Sequence, residues 1–150
     1  MLDIVNAAAE SYRGVIPADC WHEPYMTLAD LQRDVAMGVA FWGCVNGERL
    51  LGVMGIQPVD DVDLIRHAYV RPELQGSGIG AALLTHLRRQ SARPMLVGTW
   101  AAATWAIRFY ERNGFALVSA ESTPVLLRRY WSIPARQADV SVVLANPPRA

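Results

Sequence analysis

The spacing of apolar and polar positions divides the chain into short elements of two kinds. Leu2, Val5, Ala9 and Tyr12 fall near one helical face, and Gly14 follows as a stop. Residues 16–25 break that period and form a polar, aromatic loop. Thr27 then reads as a helix N-cap with Asp30 three residues on, and Leu28, Leu31 and Val35 supply an apolar stripe ended by Gly38. From Val39 the pattern becomes that of strands. Residues 39–45 are apolar and aromatic, Asn46-Gly47 is a favoured hairpin turn, and residues 50–59 run back. Asp60-Asp61 turns the chain again into a third strand over residues 63–71. These three strands read as an antiparallel meander.

Pro72 closes the meander, and a stretch with Gly76, Gly78 and Gly80 leads into a helix over residues 81–90. The apolar run at residues 94–100 is reached through that helical crossover, so it is expected to pair parallel to the third strand. A helix over residues 104–112 stops at Asn113-Gly114. A strand at residues 115–119, a short helix from Thr123-Pro124 and an alternating strand at residues 138–145 complete the order. The pattern predicts one α/β domain over residues 1–150, a mixed sheet with helices on both faces.

Composition narrows the chemistry. All 14 basic residues are arginine, balanced by 14 acidic ones. Without lysine there is no Walker A loop and no Schiff base, and any phosphate must be held by arginine or by backbone N–H groups. The neutral balance predicts neither a nucleic-acid nor a membrane partner. The two cysteines and three histidines lack zinc-ligand spacing, so no metal is expected, and the thiols read as free in a reducing, cytoplasmic setting. No apolar run reaches the ~18 residues needed to cross a bilayer.

The chemistry-bearing stretch is Val70-Arg71-Pro72-Glu73-Leu74-Gln75-Gly76-Ser77-Gly78-Ile79-Gly80-Ala81, which joins a strand end to a helix start. The first amides of a helix lack intrahelical partners and carry the positive end of its dipole, and glycines let an anion approach them. A dinucleotide reading of the same glycines would need a strand running directly into Gly76 and an acid at the end of the next strand; Pro72 and Thr99-Trp100 stand there instead.

Gln75-x-x-Gly78-x-Gly80 resembles the acyl-CoA-binding motif of the GNAT superfamily of N-acetyltransferases. Ala106-x-x-Phe109-Tyr110-Glu111-x-x-Gly114-Phe115 resembles that family's second motif. Element order and both motifs agree from about residue 2 to residue 145. The resemblance implies the GNAT fold, with an antiparallel meander and a splayed parallel pair formed by the third and fourth strands of this chain. It implies acetyl-CoA as co-substrate and direct acetyl transfer to a primary amine. Ala68, Tyr69 and Val70 would pair with the pantetheine arm. Gln75, Gly76, Ser77, Gly78, Ile79, Gly80 and Ala81 would hold the pyrophosphate. Tyr110 would sit by the thioester sulfur and protonate the thiolate. No covalent intermediate is implied, so neither cysteine is needed as a nucleophile.

The chain departs from the family pattern in three places. Ala103 stands where an asparagine is frequent. Leu64 stands where the histone-type branch has a glutamate base, leaving Asp63, His67 or water, with His67 the better suited by residue type. The family's first strand has no counterpart, so either the sheet lacks it or it lies upstream. The two absent side chains keep open a non-catalytic CoA-binding module as an alternative, beside acetylation of a protein or peptide amine. The acceptor loops are expected to contribute Trp21, His22, Glu23, Tyr25, Tyr130 and Trp131, an aromatic wall with one carboxylate suited to an amine. A small-molecule acceptor is favoured over a basic protein tail, and a homodimer is allowed.

Overall fold

A computed structural model describes residues 1–149. The elements run α1 (Leu2–Ala9), α2 (Leu28–Ala36), β1 (Ala40–Asn46), β2 (Arg49–Val59), β3 (Val62–Val70), α3 (Ile79–Gln90), β4 (Met95–Trp100), α4 (Thr104–Arg112), β5 (Ala116–Leu117), α5 (Thr123–Tyr130), α6 (Ala135–Ala138) and β6 (Ser141–Asn146). The strands form one mixed sheet in the order β1-β2-β3-β4-β6-β5. Pairing is antiparallel except between β3 and β4, which are parallel as the crossover required.

Burial follows the two faces. On one, Leu83, Leu84 and Leu87 of α3 and Tyr110 of α4 pack on Met54, Ile65, Met95 and Val97. On the other, Leu127 and Tyr130 of α5 cover Val62, Leu64, Leu96 and Val143, while Val5 of α1 meets Val53. Each such side chain contributes roughly 1.5–3 kcal/mol by leaving water.

Several local expectations shift, each for a reason visible in the packing. The β1–β2 turn lies one residue later than expected, with Asn46 paired to Arg49 and Gly47 at φ +59°. The α1 helix ends at Ala9, and its buried face is Ile4, Val5, Ala8 and Ala9. A 3-10 turn over Glu10–Tyr12 follows and carries Tyr12 off that face. Thr27 caps α2 in a full capping box with Asp30. Only part of the expected apolar stripe packs, however: Leu31 is half-buried against Val5, Met26 and Val53, whereas Leu28 is 58% and Val35 54% exposed. β5 is only two residues long, since the carbonyl and hydroxyl of Ser119 already accept from Thr123 and Ser122. The last strand begins at Ser141 rather than at residue 138, because residues 135–138 close a helical turn.

The sheet feature that matters most is where pairing stops. β3 and β4 are bonded only from Asp63–Ile65 to Met95–Val97. Beyond that they diverge, because β3 carries a bulge. Gly55 opposes Arg66 and Val53 opposes Tyr69, so two steps on β2 face three on β3. The extra residue is taken up at His67, whose φ is +51°. Such a bulge bends and twists the strand. It places both Arg66 and His67 toward α2, and it leaves the β4-facing edge of Ala68, Tyr69 and Val70 without a strand partner among the described residues.

Candidate active site

The gap between the splayed strands opens into a cavity of about 500 Å³. Its walls bring together both sequence motifs: Gln75, Gly76, Gly78, Ile79, Gly80 and Ala81 from the glycine loop, and Phe109 and Tyr110 from α4. Ser77 does not line it; its hydroxyl donates to the Leu74 carbonyl, 2.5 Å away, and tightens the loop. Gly78 is the N-cap of α3 at φ +88°, a conformation a side chain would strain, and no side chain caps the helix. Open space surrounds the position where a Cβ would stand. The uncapped amides of the first turn therefore face the cavity with their donors free, which fits a phosphate-bearing ligand. Ala68, Tyr69 and Val70 line the same cavity, with backbone groups available to an extended arm. Arg112, Asn113 and Trp105 join this wall, none of which the sequence motifs singled out.

Tyr110 is 5% exposed, held edge-on between Phe109 and Phe115 with ring centroids 5.0 and 5.5 Å away. Burial pushes its phenol well above the ordinary tyrosine value, with the Tyr12 hydroxyl adding to the effect. It therefore stays protonated, a hydrogen-bond donor at every working pH. Ala103, at the position of the family asparagine, is buried against Ile16, Cys20 and Trp100 and offers no polar contact.

His67 also lines the cavity. Its ring stacks on Phe41 at 5.8 Å, and Nε2 stands 2.7 Å from Asp34 Oδ2, too far off the N–H axis for a regular hydrogen bond. Burial raises the Asp34 carboxyl, but contact with His67 and the charges of Arg66 and Arg33 outweigh it and hold it below the usual carboxylate value. Asp63, the other base considered, is 3% exposed beside Arg93 at the far end of the strand, and does not reach the gap.

A second cavity, of about 140 Å³, lies against the first. Tyr12, Ile65, His67, Tyr69, Gly98 and Thr99 line both. Tyr25, Arg66, Trp131, Ile133, Gln137 and Ser141 help to close the second. Tyr25 accepts a hydrogen bond from Trp100 Nε1 at 3.0 Å and lies 5.6 and 6.5 Å from the rings of Tyr12 and Tyr69. Burial raises all three tyrosines, so they too remain phenols. Trp131 reaches the cavity by packing over Gly98, where a Cβ would come within 3.3 Å of its indole.

Of the six residues expected in the acceptor loops, the structure brings Tyr25 and Trp131 to this cavity. Trp21 stands behind Tyr25, 5.7 Å from its ring, under the guanidinium of Arg13. Glu23 points outward to Arg13 at 3.0 Å, and His22 is exposed. Tyr130 lies in the core under α5, its hydroxyl donating to Asp61 at 2.7 Å, away from both cavities. Arg129 and Arg136 are likewise tied to Asp61 and Asp19. Sequence reading missed Tyr12, Arg66, Asp34 and Gly98. Tyr12 carried a helical-face signal that hid its role, and the others have no local motif at all.

Among the described residues no cluster of metal-binding side chains occurs, and no helix is long and apolar enough to cross a membrane.

An acetyltransferase (GNAT) domain model matches residues 38–117, more than half the chain. No curated protein matches the chain by sequence. Solved structures match the fold. An acetyltransferase from Streptococcus agalactiae superposes with a TM-score of 0.70 at 16% identity, covering 96% of this chain and 87% of that one. PaiA N-acetyltransferase from Thermoplasma acidophilum, in complex with coenzyme A, gives 0.64 at 11% identity over 96% and 88%. A GNAT family acetyltransferase from Elizabethkingia anophelis, with acetyl-CoA bound, gives 0.61 at 16% identity over 87% and 89%. The matched segment contains the bulged β3, the glycine loop and the Tyr110 helix that build the larger cavity, and the chain belongs to the GNAT acetyltransferase family.

Proposed function

We propose that this protein transfers an acetyl group from acetyl-CoA directly to the primary amine of a small molecule. The observation that carries the reading is the pair of cavities meeting across the splay, one floored by uncapped helix amides and one walled by aromatic rings. A thioester donor and an amine entering from opposite sides would meet beside Tyr69, Gly98 and Thr99. Holding two reactants in one geometry supplies much of the rate enhancement such a transfer needs.

In this reading the amides at the start of α3 hold the pyrophosphate, and the free edge of Ala68, Tyr69 and Val70 pairs with the pantetheine arm. The amine nitrogen attacks the thioester carbonyl, and the C–N bond forms as the C–S bond breaks. His67, or water next to it, takes the proton released by the amine. The Tyr110 hydroxyl donates to the departing sulfur. The tyrosine rings accept the incoming ammonium by cation–π contact before it is deprotonated. A cavity of about 140 Å³, the volume of roughly five waters, suits a small acceptor better than a folded protein surface.

The test is an amine panel with acetyl-CoA, following release of free thiol, alongside calorimetric binding of acetyl-CoA. Turnover with at least one small amine is expected. Tight acetyl-CoA binding with no thiol release from any amine would support the non-catalytic alternative and end this reading.

A further inference from the structure

The second cavity has a charge pattern that narrows its ligand. Arg66 lines it, and among the described residues no aspartate or glutamate does. The Arg66 side chain is only 20% exposed. Its NH1 donates to Gln57 Oε1 at 2.6 Å, and its NH2 reaches Asp34 Oδ1 only at 3.4 Å. The other guanidinium donors, Nε included, have no acceptor among the described residues. Asp34 is itself shared, standing 2.7 Å from His67 and within the influence of Arg33. One carboxylate thus serves several cationic or cation-capable groups. Burial outweighs its pull on Arg66, whose guanidinium is held below the usual arginine value while remaining a cation. A buried cation with incomplete compensation favours an anion close by.

The remaining walls are neutral. Tyr12, Tyr25, Tyr69 and Trp131 give aromatic surface, Leu127 and Ile133 aliphatic surface, and Gln137 and Ser141 polar ends. A dication such as a polyamine would meet Arg66 with no carboxylate to receive its second charge. An amine that also bears a carboxylate, with an apolar side group, matches each wall.

We propose that the second cavity binds a small zwitterionic amine of the amino-acid class, its carboxylate read by Arg66 and its apolar group by the aromatic wall. The proposal rests on the transferase reading above and specifies its acceptor.

Matched pairs that differ only in the carboxylate test it: L-phenylalanine against phenethylamine, and L-leucine against isoamylamine, with spermidine as a polycation. Acetylation is followed by thiol release, and binding to the CoA-loaded protein by calorimetry. A charge-assisted hydrogen bond of about 1.5–3 kcal/mol predicts at least a tenfold preference for the carboxylate-bearing partner. Arg66→Gln should abolish the preference and Arg66→Lys should restore part of it, with the acetyl-CoA Kd unchanged in both. Equal or better use of the decarboxylated amines or spermidine overturns the proposal. So does a preference that survives Arg66→Gln, and so does failure of every pair to bind or react. Carboxylate-selective binding without turnover would keep this proposal and remove the transferase one.

Discussion

Replacing Tyr110 by phenylalanine separates the chemical role of one oxygen atom from the packing role of the ring around it. The ring is core, set edge-on to Phe109 and Phe115 at interplanar angles of 72° and 67°, and phenylalanine preserves both contacts. The hydroxyl is different. Its weakened acidity is caused by burial and by the nearby Tyr12, with no hydrogen bond acting on it. Stability should therefore stay within about 0.5 kcal/mol of the parent in urea denaturation, since no native bond is broken. Catalysis should not. A hydrogen bond to a developing thiolate contributes roughly 1.5–3 kcal/mol, so kcat should fall about 10- to 150-fold while the acetyl-CoA Kd is unchanged. The pH profile adds an independent check. An acid works in its protonated form, and burial has moved this phenol above its ordinary value near ~10, so Tyr110 should impose no alkaline limb below about pH 10. The assay is thiol release at saturating acetyl-CoA from pH 6 to 10, with calorimetric binding in parallel. If Tyr110→Phe retains the parent kcat within twofold, or if a loss in kcat is matched by an equal loss in stability, the hydroxyl has no role at the sulfur.

Three further outcomes follow from the geometry. Gly78→Ala places a side chain at φ +88° and a methyl beside the free amides of α3; it should cost about 1–2 kcal/mol in stability and weaken CoA and acetyl-CoA alike, measured by calorimetry. Gly98→Ala puts a Cβ 3.3 Å from the Trp131 indole; displacing that ring should raise the acceptor KM about fivefold, equivalent to about 1 kcal/mol, measured by thiol release. Asp34→Asn should destabilise the fold by about 1–3 kcal/mol at pH 7, because it leaves Arg66 less compensated. Asp34 has a lowered folded-state value, so its contribution is complete above the unfolded value near ~3.9 and is lost as pH falls through the lower one. The difference between parent and variant in urea denaturation should thus shrink as pH falls below about 4.

Features that rest on neighbouring residues are legible in the amino-acid order alone. The Thr27–Asp30 capping box, the Asp60-Asp61 turn, the uncapped glycine entry to α3 and the Tyr110 helix are short-range devices, readable because propensity, turn chemistry and period act within a few positions. The absence of lysine belongs with them, for composition alone leaves backbone amides and arginines as the available phosphate ligands. What depends on two distant segments meeting emerges only in the folded chain. A single extra residue in β3, unmarked by glycine or proline, bends the strand, opens the gap to β4 and places Arg66 and His67 beside Asp34. Gly98 matters only because Trp131, far along the chain, lies across it. Glu23 and Tyr130 have the residue types of an acceptor site, but Arg13 and Asp61 hold them elsewhere. Tyr12, which carries a helix-core pattern, becomes part of the site because α1 ends one turn before it. Local chemistry fixes which elements form, whereas partner choice among polar and aromatic side chains depends on long-range geometry that no window of sequence contains.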